Sequence, residues 1–148
     1  MSKGNFIGIL SFNKTGLTKR CLDSVLSSRY EPGTVFLYHN GSSRDAREQL
    51  VRDYPEINHE YSETNKGYSG GFNSLMKWIF SSGGRSVLFL TNDTIIDPDT
   101  LGHCITTERE TGSGFIAPAV FYLKYPEKMD SSGGFGVTRS LRKVLGLR

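Results

Sequence analysis

Short apolar runs recur along the chain and predict the strands of a sheet. Phe6–Phe12, Thr34–His39 and Val87–Leu90 are apolar on both faces, which is typical of parallel strands buried between two layers. Ile57–Tyr61 is a weaker candidate, and Phe115–Leu123 contains a proline, which favours an edge or irregular strand. The pattern therefore predicts four strands within the first ninety residues and an irregular one near residue 120.

Between these runs, apolar residues recur at helical spacing. One stripe consists of Leu17, Cys21, Leu22, Val25 and Leu26. Ala46–Tyr54 and Phe72–Phe80 predict two more helices, and Gly83-Gly84 would end the second of these. Asp97-Pro98-Asp99 has the proline and acids of a helix start. Alternating strands and helices predict an α/β fold with a mostly parallel sheet flanked by helices.

Three polar clusters fall where predicted strands end. They are Ser11-Phe12-Asn13, His39-Asn40-Gly41-Ser42 and Thr91-Asn92-Asp93. The carboxyl ends of parallel strands meet at one edge of a sheet, and ligands of open α/β folds bind in the crevice there. The sequence therefore predicts a binding site built from these three clusters.

Individual residues of this edge allow two interpretations each. Asp93 follows a buried strand and is placed to bind a hard cation such as Mg²⁺ or Mn²⁺, or else it caps a turn. The glycine-rich segment Asn65–Asn73 either brings backbone and a helix amino terminus close to a phosphate or forms a plain loop and cap. His39 either contacts a nucleotide or is a structural hydrogen-bonding residue.

Composition narrows the class of protein. The chain has 148 residues, with 18 Lys and Arg against 15 Asp and Glu, which suits one globular domain and excludes a disordered tail or a disulfide miniprotein. No apolar run approaches the roughly 20 residues of a transmembrane helix. The basic tail Ser131–Arg148 either contacts phosphates or an anionic membrane, or is a solvated terminus. Cys21 and Cys104 have no metal-binding spacing, and Cys21 belongs to an apolar helix face.

Four motifs, in order along nearly the whole chain, resemble those of family 2 glycosyltransferases. Ile9–Asn13 resembles the opening strand of that family, and His39–Ser43 resembles its second-strand D-N-G-S-x-D motif. Asn65, Gly67, Gly71 and Asn73 follow its N-x-G-x-x-x-G-x-N pattern. Leu90–Asp99 resembles L-N-N-D-T-x-x-D-P-D, which stands where other members have a metal-binding D-x-D. Pro118, Pro126-Glu127-Lys128 and Ser132-Gly133-Gly134 are similar to the rhamnosyltransferase-like branch.

The resemblance implies a GT-A fold, a nucleotide-diphosphate sugar donor, a divalent metal (Mg²⁺ or Mn²⁺) and transfer with inversion to an acceptor hydroxyl. By position it implies that Ser11, Phe12 and Asn13 border the nucleotide and that His39 and Asn40 approach the base. It implies a donor loop lined by Asn65, Gly67, Gly71 and Asn73, with Asn92 and Asp93 at the ribose, diphosphate and metal. A carbohydrate or lipid-linked acceptor, a role in cell-surface polysaccharide synthesis and a cytoplasmic location, with or without contact to the inner membrane face, go with this family.

Three departures from the family pattern affect these expectations. His39 replaces the usual acid, Arg44 stands near the closing acid of the motif with Asp45 after it, and Asp93 is the single carboxylate of its segment. The chain also ends soon after the motifs, so we expect a truncated GT-A domain over residues 1–125, with 126–148 beginning the acceptor part. The general base is unknown, with Asp130 a weak candidate. The alternative is a noncatalytic or incomplete nucleotide-sugar-binding module, alone, as a homo-oligomer or with a complementing chain.

Overall fold

A four-stranded parallel sheet organises the first part of the chain, in the order β3-β2-β1-β4. The computed structural model describes residues 5–131, which form two compact units that divide between Leu101 and Gly102. The first unit contains β1 (Asn5–Ser11), α1 (Thr15–Leu26), β2 (Thr34–Asn40), α2 (Arg44–Asp53), β3 (Asn58–Ser62), α3 (Gly67–Ser81) and β4 (Ser86–Thr91). The mostly parallel sheet flanked by helices confirms the predicted fold class.

Helices cover both faces of this sheet. One core cluster joins β1 and β2 to α1 and α2, and includes Ile9, Leu22, Leu37 and Leu50. The other joins the opposite face to α3 through Leu10, Phe36, Leu75 and Ile79. Side chains alternate between the two faces along a strand, so a polar residue at a strand end lies on the same face as the residue two positions before it.

The chain reverses its direction of travel across the sheet at β1. From β1 it moves to β2 and β3, and α3 then returns it to the other side of β1, where β4 pairs in parallel. This reversal creates a topological switch point between β1 and β4, the place where open α/β sheets form their ligand crevice.

The helix predicted over Phe72–Phe80 begins earlier than expected. α3 begins at Gly67, so most of the predicted glycine-rich loop is the first turns of the helix rather than a loop. Glycine disfavours helices by about 1 kcal/mol relative to alanine, which is why the pattern alone favoured a later start. Gly71 is a buried position where α3 contacts the sheet: an added Cβ would lie 2.7 Å from Leu10 Cδ1 and 2.8 Å from Asn40 Nδ2.

The second unit contains most of α4 (Thr100–Thr111) and an antiparallel hairpin of β5 (Val120–Tyr122) and β6 (Tyr125–Ser131). Its hairpin contains the irregular strand expected near Pro118, and its strand residues are exposed. The predicted domain boundary after residue 125 stays a prediction. Ser132-Gly133-Gly134 and nearly all of the basic tail lie outside the described residues.

No helix in residues 5–131 has the length and apolarity needed to cross a membrane. Both cysteines are free thiols, and Cys21 is fully buried in the first core cluster, as the helical stripe predicted. Its burial, with a contribution from the nearby Asp93 carboxylate, raises the pKa of the Cys21 thiol to about 12. The thiol is therefore a packing group rather than a nucleophile.

Candidate functional site

The loop after β1 turns through two left-handed residues, Asn13 with φ of 49° and Lys14 with φ of 48°. Non-glycine residues occupy this region at a cost of about 1–2 kcal/mol each, so the surrounding contacts must hold them there. The Asn13 N–H donates to Ser42 Oγ at 3.0 Å, and its side-chain oxygen accepts from the Ser43 N–H at 3.0 Å. These bonds fix the end of β1 against the loop that follows β2.

Asn92 ties the end of β4 to the same loop. Its backbone N–H donates to the Leu10 carbonyl at 3.1 Å. Its side-chain amide donates to Thr18 Oγ1 at 3.0 Å and approaches the Asn13 carbonyl at 3.5 Å. The Thr18 hydroxyl also lies 3.0 Å from that of Ser11. We call Asn13, Thr18, Ser42 and Asn92 the rim; it joins three strand ends around the switch point.

Thr18 was not among the residues predicted for this site from the sequence. The residue is fully buried in α1, one turn before Leu22 on the same helix face. A threonine at the spacing of an apolar stripe was the available signal, because a hydroxyl on a core-facing position needs a polar partner. Cys21, Leu22 and Val25 are buried as predicted, but the buried stripe begins at Thr18, whereas Leu17 is only half-buried and Leu26 is exposed.

Asp93 lies one residue beyond Asn92, with an exposed side chain. The Thr91 hydroxyl donates to Asp93 Oδ1 at 2.6 Å, which orients the carboxylate. No group of three His, Cys, Asp or Glu residues within 5–131 could hold a metal ion. A single exposed carboxylate does fit a cation that is bound jointly with substrate phosphates, which is the usual way proteins bind Mg²⁺.

Asn40 lies on the α3 face and uses its whole amide within the protein. Its Nδ2 donates to Asn65 Oδ1 at 3.1 Å and to the Gly67 carbonyl at 2.9 Å. Its Oδ1 accepts from the Lys66 N–H at 3.0 Å and from the Ser62 hydroxyl at 3.5 Å. Asn40 thus fixes the chain segment that leads into α3.

His39, the preceding residue, lies on the opposite face of the sheet. Its Nε2 is 3.1 Å from Nδ1 of His59, and the two rings stack with centroids 5.4 Å apart. His59 Nε2 is 2.9 Å from the Tyr54 carbonyl oxygen. Burial, together with His59 and Arg47, lowers the pKa of His39 to about 4, so the ring is neutral at pH 7. His59, to which the sequence analysis assigned no role, is therefore its hydrogen-bond partner.

The remaining predicted site residues occupy different surroundings. Phe12 is next to the rim with about half of its surface exposed, and Ser11 is buried beneath it. Asn73 is exposed on α3 beside Met76, Lys77 and Phe80, and it makes none of the contacts that join the Asn40 network or the rim. The structure thus brings Ser11, Asn13 and Asn92 together and leaves Asn73 outside that cluster.

Comparisons with solved structures agree with this architecture. The S. aureus TarS 1–349 structure in complex with UDP matches with a TM-score of 0.63 and 20% identity over 81% of this chain and 39% of that one. A mannosyltransferase from Pyrobaculum calidifontis, in complex with GDP-Man and Mn²⁺, matches with a TM-score of 0.58 and 15% identity, covering 80% of this chain and 35% of that one. These likenesses establish the GT-A fold.

The lengths of these proteins differ strongly. The chain covers 33% of another TarS 1–349 structure and 24% of a longer TarS chain, so it spans a quarter to two fifths of the TarS chains it matches. A 4-diphosphocytidyl-2C-methyl-D-erythritol synthase shares the fold at 9% identity and a TM-score of 0.57, with 90% of this chain and 71% of that chain covered.

Sequence comparison identifies the family. Among curated protein sequences, none matched significantly. The family model described as Glycosyl transferase family 2 matches residues 6–132, a range that includes every residue of the rim. The chain belongs to glycosyltransferase family 2.

Proposed function

We propose that this chain is the donor-binding part of a glycosyltransferase that transfers a sugar from a nucleotide diphosphate to an acceptor hydroxyl with inversion. The observation that carries the proposal is the rim, where Asn13, Ser42 and Asn92 join three strand ends at the switch point. This is where α/β sheets bind nucleotides. The neighbours crystallised with UDP, UDP-GlcNAc and GDP-Man support a nucleotide-sugar donor.

Two groups at this edge suit a nucleotide chemically. The exposed ring of Phe12 offers a flat apolar surface on which a base can stack. Asn13 and Lys14 hold a left-handed backbone turn beside it, in which the Asn13 N–H already donates to Ser42 Oγ. The exposed ammonium group of Lys14 can meet phosphate oxygens there. The rim bonds keep this turn in place before the donor arrives, which reduces the entropy cost of binding.

A divalent metal forms part of the proposal, and Asp93 is the residue that would hold it together with the donor's phosphates. When bound, such a cation would neutralise charge on the leaving diphosphate. The protein's own contribution is the position of the carboxylate, which the Thr91 hydroxyl orients through Oδ1. The Mn²⁺ in the mannosyltransferase structure supports a divalent metal as part of the proposal.

Direct displacement with inversion needs a base that takes the proton of the acceptor hydroxyl. The weak candidate Asp130 lies on the exposed hairpin of the second unit. Its carboxylate accepts a hydrogen bond from the Tyr122 hydroxyl, and this raises the pKa of Tyr122. The second candidate function, which the replacement of the usual acid by His39 favours, is a module that binds the donor without transferring the sugar.

Calorimetric titration with UDP-, dTDP- and GDP-sugars, with and without Mn²⁺, tests donor and metal binding. We expect Mn²⁺ to strengthen binding of one donor, and Asp93→Asn to reduce the Mn²⁺-dependent part by tenfold or more, because one charge-assisted ligand is lost. Asp97→Asn is the matched control; its carboxylate caps the Asp99 N–H, a role that asparagine retains. Equal Mn²⁺ dependence in Asp93→Asn and the wild type would remove Asp93 from the proposal.

Product analysis separates the two candidate functions. Release of free sugar, or transfer to a carbohydrate or lipid-linked acceptor with an inverted anomeric signal in NMR spectra, supports the transferase. Donor binding without any turnover supports the binding module. A cytoplasmic location at the membrane face, where lipid-linked acceptors occur, completes the proposal, and fractionation of cells that express the chain tests it.

A further inference from the structure

A groove of about 350 Å³ lies between α2 and the edge strand β3, and it contains none of the rim residues. Arg44, Arg47 and Arg52 line it from α2, and His39, His59 and Tyr61 line it from the strands. The volume is at the lower end of the range for small-molecule sites. Of the residues that the family resemblance places at the nucleotide, His39 lines this groove, whereas Phe12, Asn13, Asn92 and Asp93 do not.

Positive charge exceeds negative charge along the helix side of the groove. Glu48 is the carboxylate among the lining residues, and two arginines share it: Arg44 Nε donates to its Oε1 at 2.6 Å, and Arg52 Nη1 lies 3.9 Å from its Oε2. Arg47 lies with its guanidinium carbon 4.1 Å from the centre of the Tyr61 ring. Its contact with the exposed Glu63 is a long one, 3.7 Å. The groove therefore attracts anions.

The hydrogen bonds of the two histidines point to one arrangement of their protons. The Tyr54 carbonyl can only accept, so His59 Nε2 carries a proton and donates to it. With Nε2 as its donor, His59 can use Nδ1 as an acceptor, and the proton of that bond then comes from Nε2 of His39. His39, whose lowered pKa keeps it neutral, is left with a bare lone pair on Nδ1.

This Nδ1 is buried and has no hydrogen-bond partner within the part of the chain that the structure describes. A buried polar atom without a partner is unfavourable, so a ligand that donates a hydrogen bond to it should bind more tightly. The groove thus combines cations that bind oxygen atoms with a buried acceptor that needs an O–H or N–H group.

We propose that the groove binds the monoanion of a phosphomonoester, a ligand that offers both groups. Its unprotonated oxygens accept from the guanidinium groups of Arg44, Arg47 and Arg52, which match phosphate geometry. Its remaining O–H serves the Nδ1 lone pair of His39. The second ionisation of such a phosphate lies near pH 6, so the monoanion is available under mild conditions. This proposal is independent of donor binding at the rim.

Because the bound phosphomonoester keeps one proton, its affinity for the groove should depend on pH. The titratable and charged groups that line the groove with His39 are His59, Tyr61, Glu48 and the three arginines, and His59 and Arg47 act on His39 directly. Calorimetry with glycerol 3-phosphate on the full chain should show affinity falling about tenfold per pH unit between pH 7 and 8.5, because the dianion must first take up a proton. Sulfate, which has no O–H, should bind at least tenfold more weakly at pH 7. Affinity that is independent of pH, or equal for sulfate, overturns the proposal.

Variants locate the site. Arg44→Gln and Arg47→Gln should each weaken glycerol 3-phosphate binding about tenfold, whereas Arg20→Gln, an exposed charge on α1 outside the groove, should change it less than twofold. Arg44 is exposed, so that variant folds even if Arg47→Gln does not. His39→Leu should bind weakly and lose the dependence on pH. Equal losses in Arg44→Gln and Arg20→Gln would show nonspecific attraction and reject the site.

A last comparison identifies the source of the phosphate. Sedimentation with phosphatidylcholine vesicles containing phosphatidic acid, against vesicles of phosphatidylcholine alone, tests a lipid headgroup, and glycerol 3-phosphate tests a free ester. Binding in either assay that Arg44→Gln weakens supports the groove as a phosphomonoester site. Binding in neither assay overturns it.

Discussion

His39 and Asn40 are neighbours on one strand and are both buried, at 1% and 3% exposure, yet the sheet treats them in opposite ways. Asn40, on the α3 face, has partners for both its amide nitrogen and its oxygen. His39, on the α2 face, keeps one ring nitrogen without a partner among residues 5–131. On the α3 side of this edge, Asn40 and the segment Asn65–Gly67 that it binds form what we call the frame, in which the Asn40 amide is fully hydrogen-bonded. The α2 side retains unused hydrogen-bonding capacity for a ligand.

The difference follows from chain connectivity. The segment after β3 passes the end of β2 on its way to α3, and Gly41 donates to the Ser62 carbonyl at 3.2 Å where the two meet. Backbone groups of Lys66 and Gly67 are thereby brought to the Asn40 amide. On the other face, His39 has side chains of α2 and β3 as its neighbours, among them Arg47 and His59.

A substitution at Gly41, which lies against the frame, should have the largest effect on stability. Its φ is +76°, and a Cβ there would lie 2.3 Å from the Asn65 nitrogen and 2.7 Å from the Thr64 carbonyl carbon. Because neither backbone atom can move without shifting the frame, Gly41→Ala should lower the free energy of unfolding by more than about 4 kcal/mol, or prevent folding. Urea denaturation followed by circular dichroism measures this.

Gly67→Ala is the matched control for Gly41→Ala. Gly67 has a similar φ of +70°, but apart from its chain neighbours and its own helix backbone, no atom of the described residues lies within 4 Å of the added Cβ. Only the left-handed conformation is penalised, so a loss of about 1 kcal/mol is expected. If both variants lost the same stability, crowding by the frame would not matter and the α3 side would be more adaptable than we infer.

Asn40→Ala tests the frame with a smaller effect. The substitution removes the donors to Asn65 and Gly67 and the acceptor for Lys66, and at about 1 kcal/mol per bond the loss of stability should be near 3 kcal/mol. Asn73→Ala, at an exposed position of α3, should stay within about 0.5 kcal/mol of the wild type. A loss below 1 kcal/mol for Asn40→Ala would mean that water replaces the amide, and the frame would then not be closed.

The sequence was sufficient for the strands and for bringing the three polar clusters to one edge of the sheet, because both depend on local patterns and on the rule for parallel strands. The face of His39 also follows from its parity with Leu37 in β2. Its partner His59 could not be predicted, because that contact depends on the register that pairs Leu37 with His59 across β2 and β3. Register is set by packing of the whole sheet.

Glycine content misled the prediction of α3 for a physical reason. Intrinsic propensity disfavours a helix through Gly67, Gly70 and Gly71, but the contact of Gly71 with the sheet and the Asn40 bonds supply the stability that propensity lacks. Tertiary contacts of this kind are not visible in a single sequence. The same limit explains Asn73, whose motif position gave no information about its exposure.

His39→Leu should have the smallest effect on stability at neutral pH, and it tests the α2 face of the sheet. Leucine removes the unpartnered Nδ1 but also the donor to His59, so stability at pH 7.5 should change by less than about 1 kcal/mol. The pKa of His39 is lowered to about 4 from 6.5, so the unfolded chain binds the extra proton between these values. Wild-type stability from this residue is therefore complete above pH 6.5 and decreases as the pH falls, by about 2 kcal/mol at pH 5, whereas His39→Leu lacks this loss.

Urea titrations at pH 7.5 and 5 measure the difference, with His103→Gln, at an exposed histidine of α4, as a control that should follow the wild type. If His39→Leu instead lost as much stability as the wild type on acidification, His39 would be protonated in the folded chain, and its Nδ1 would be a donor rather than an empty acceptor.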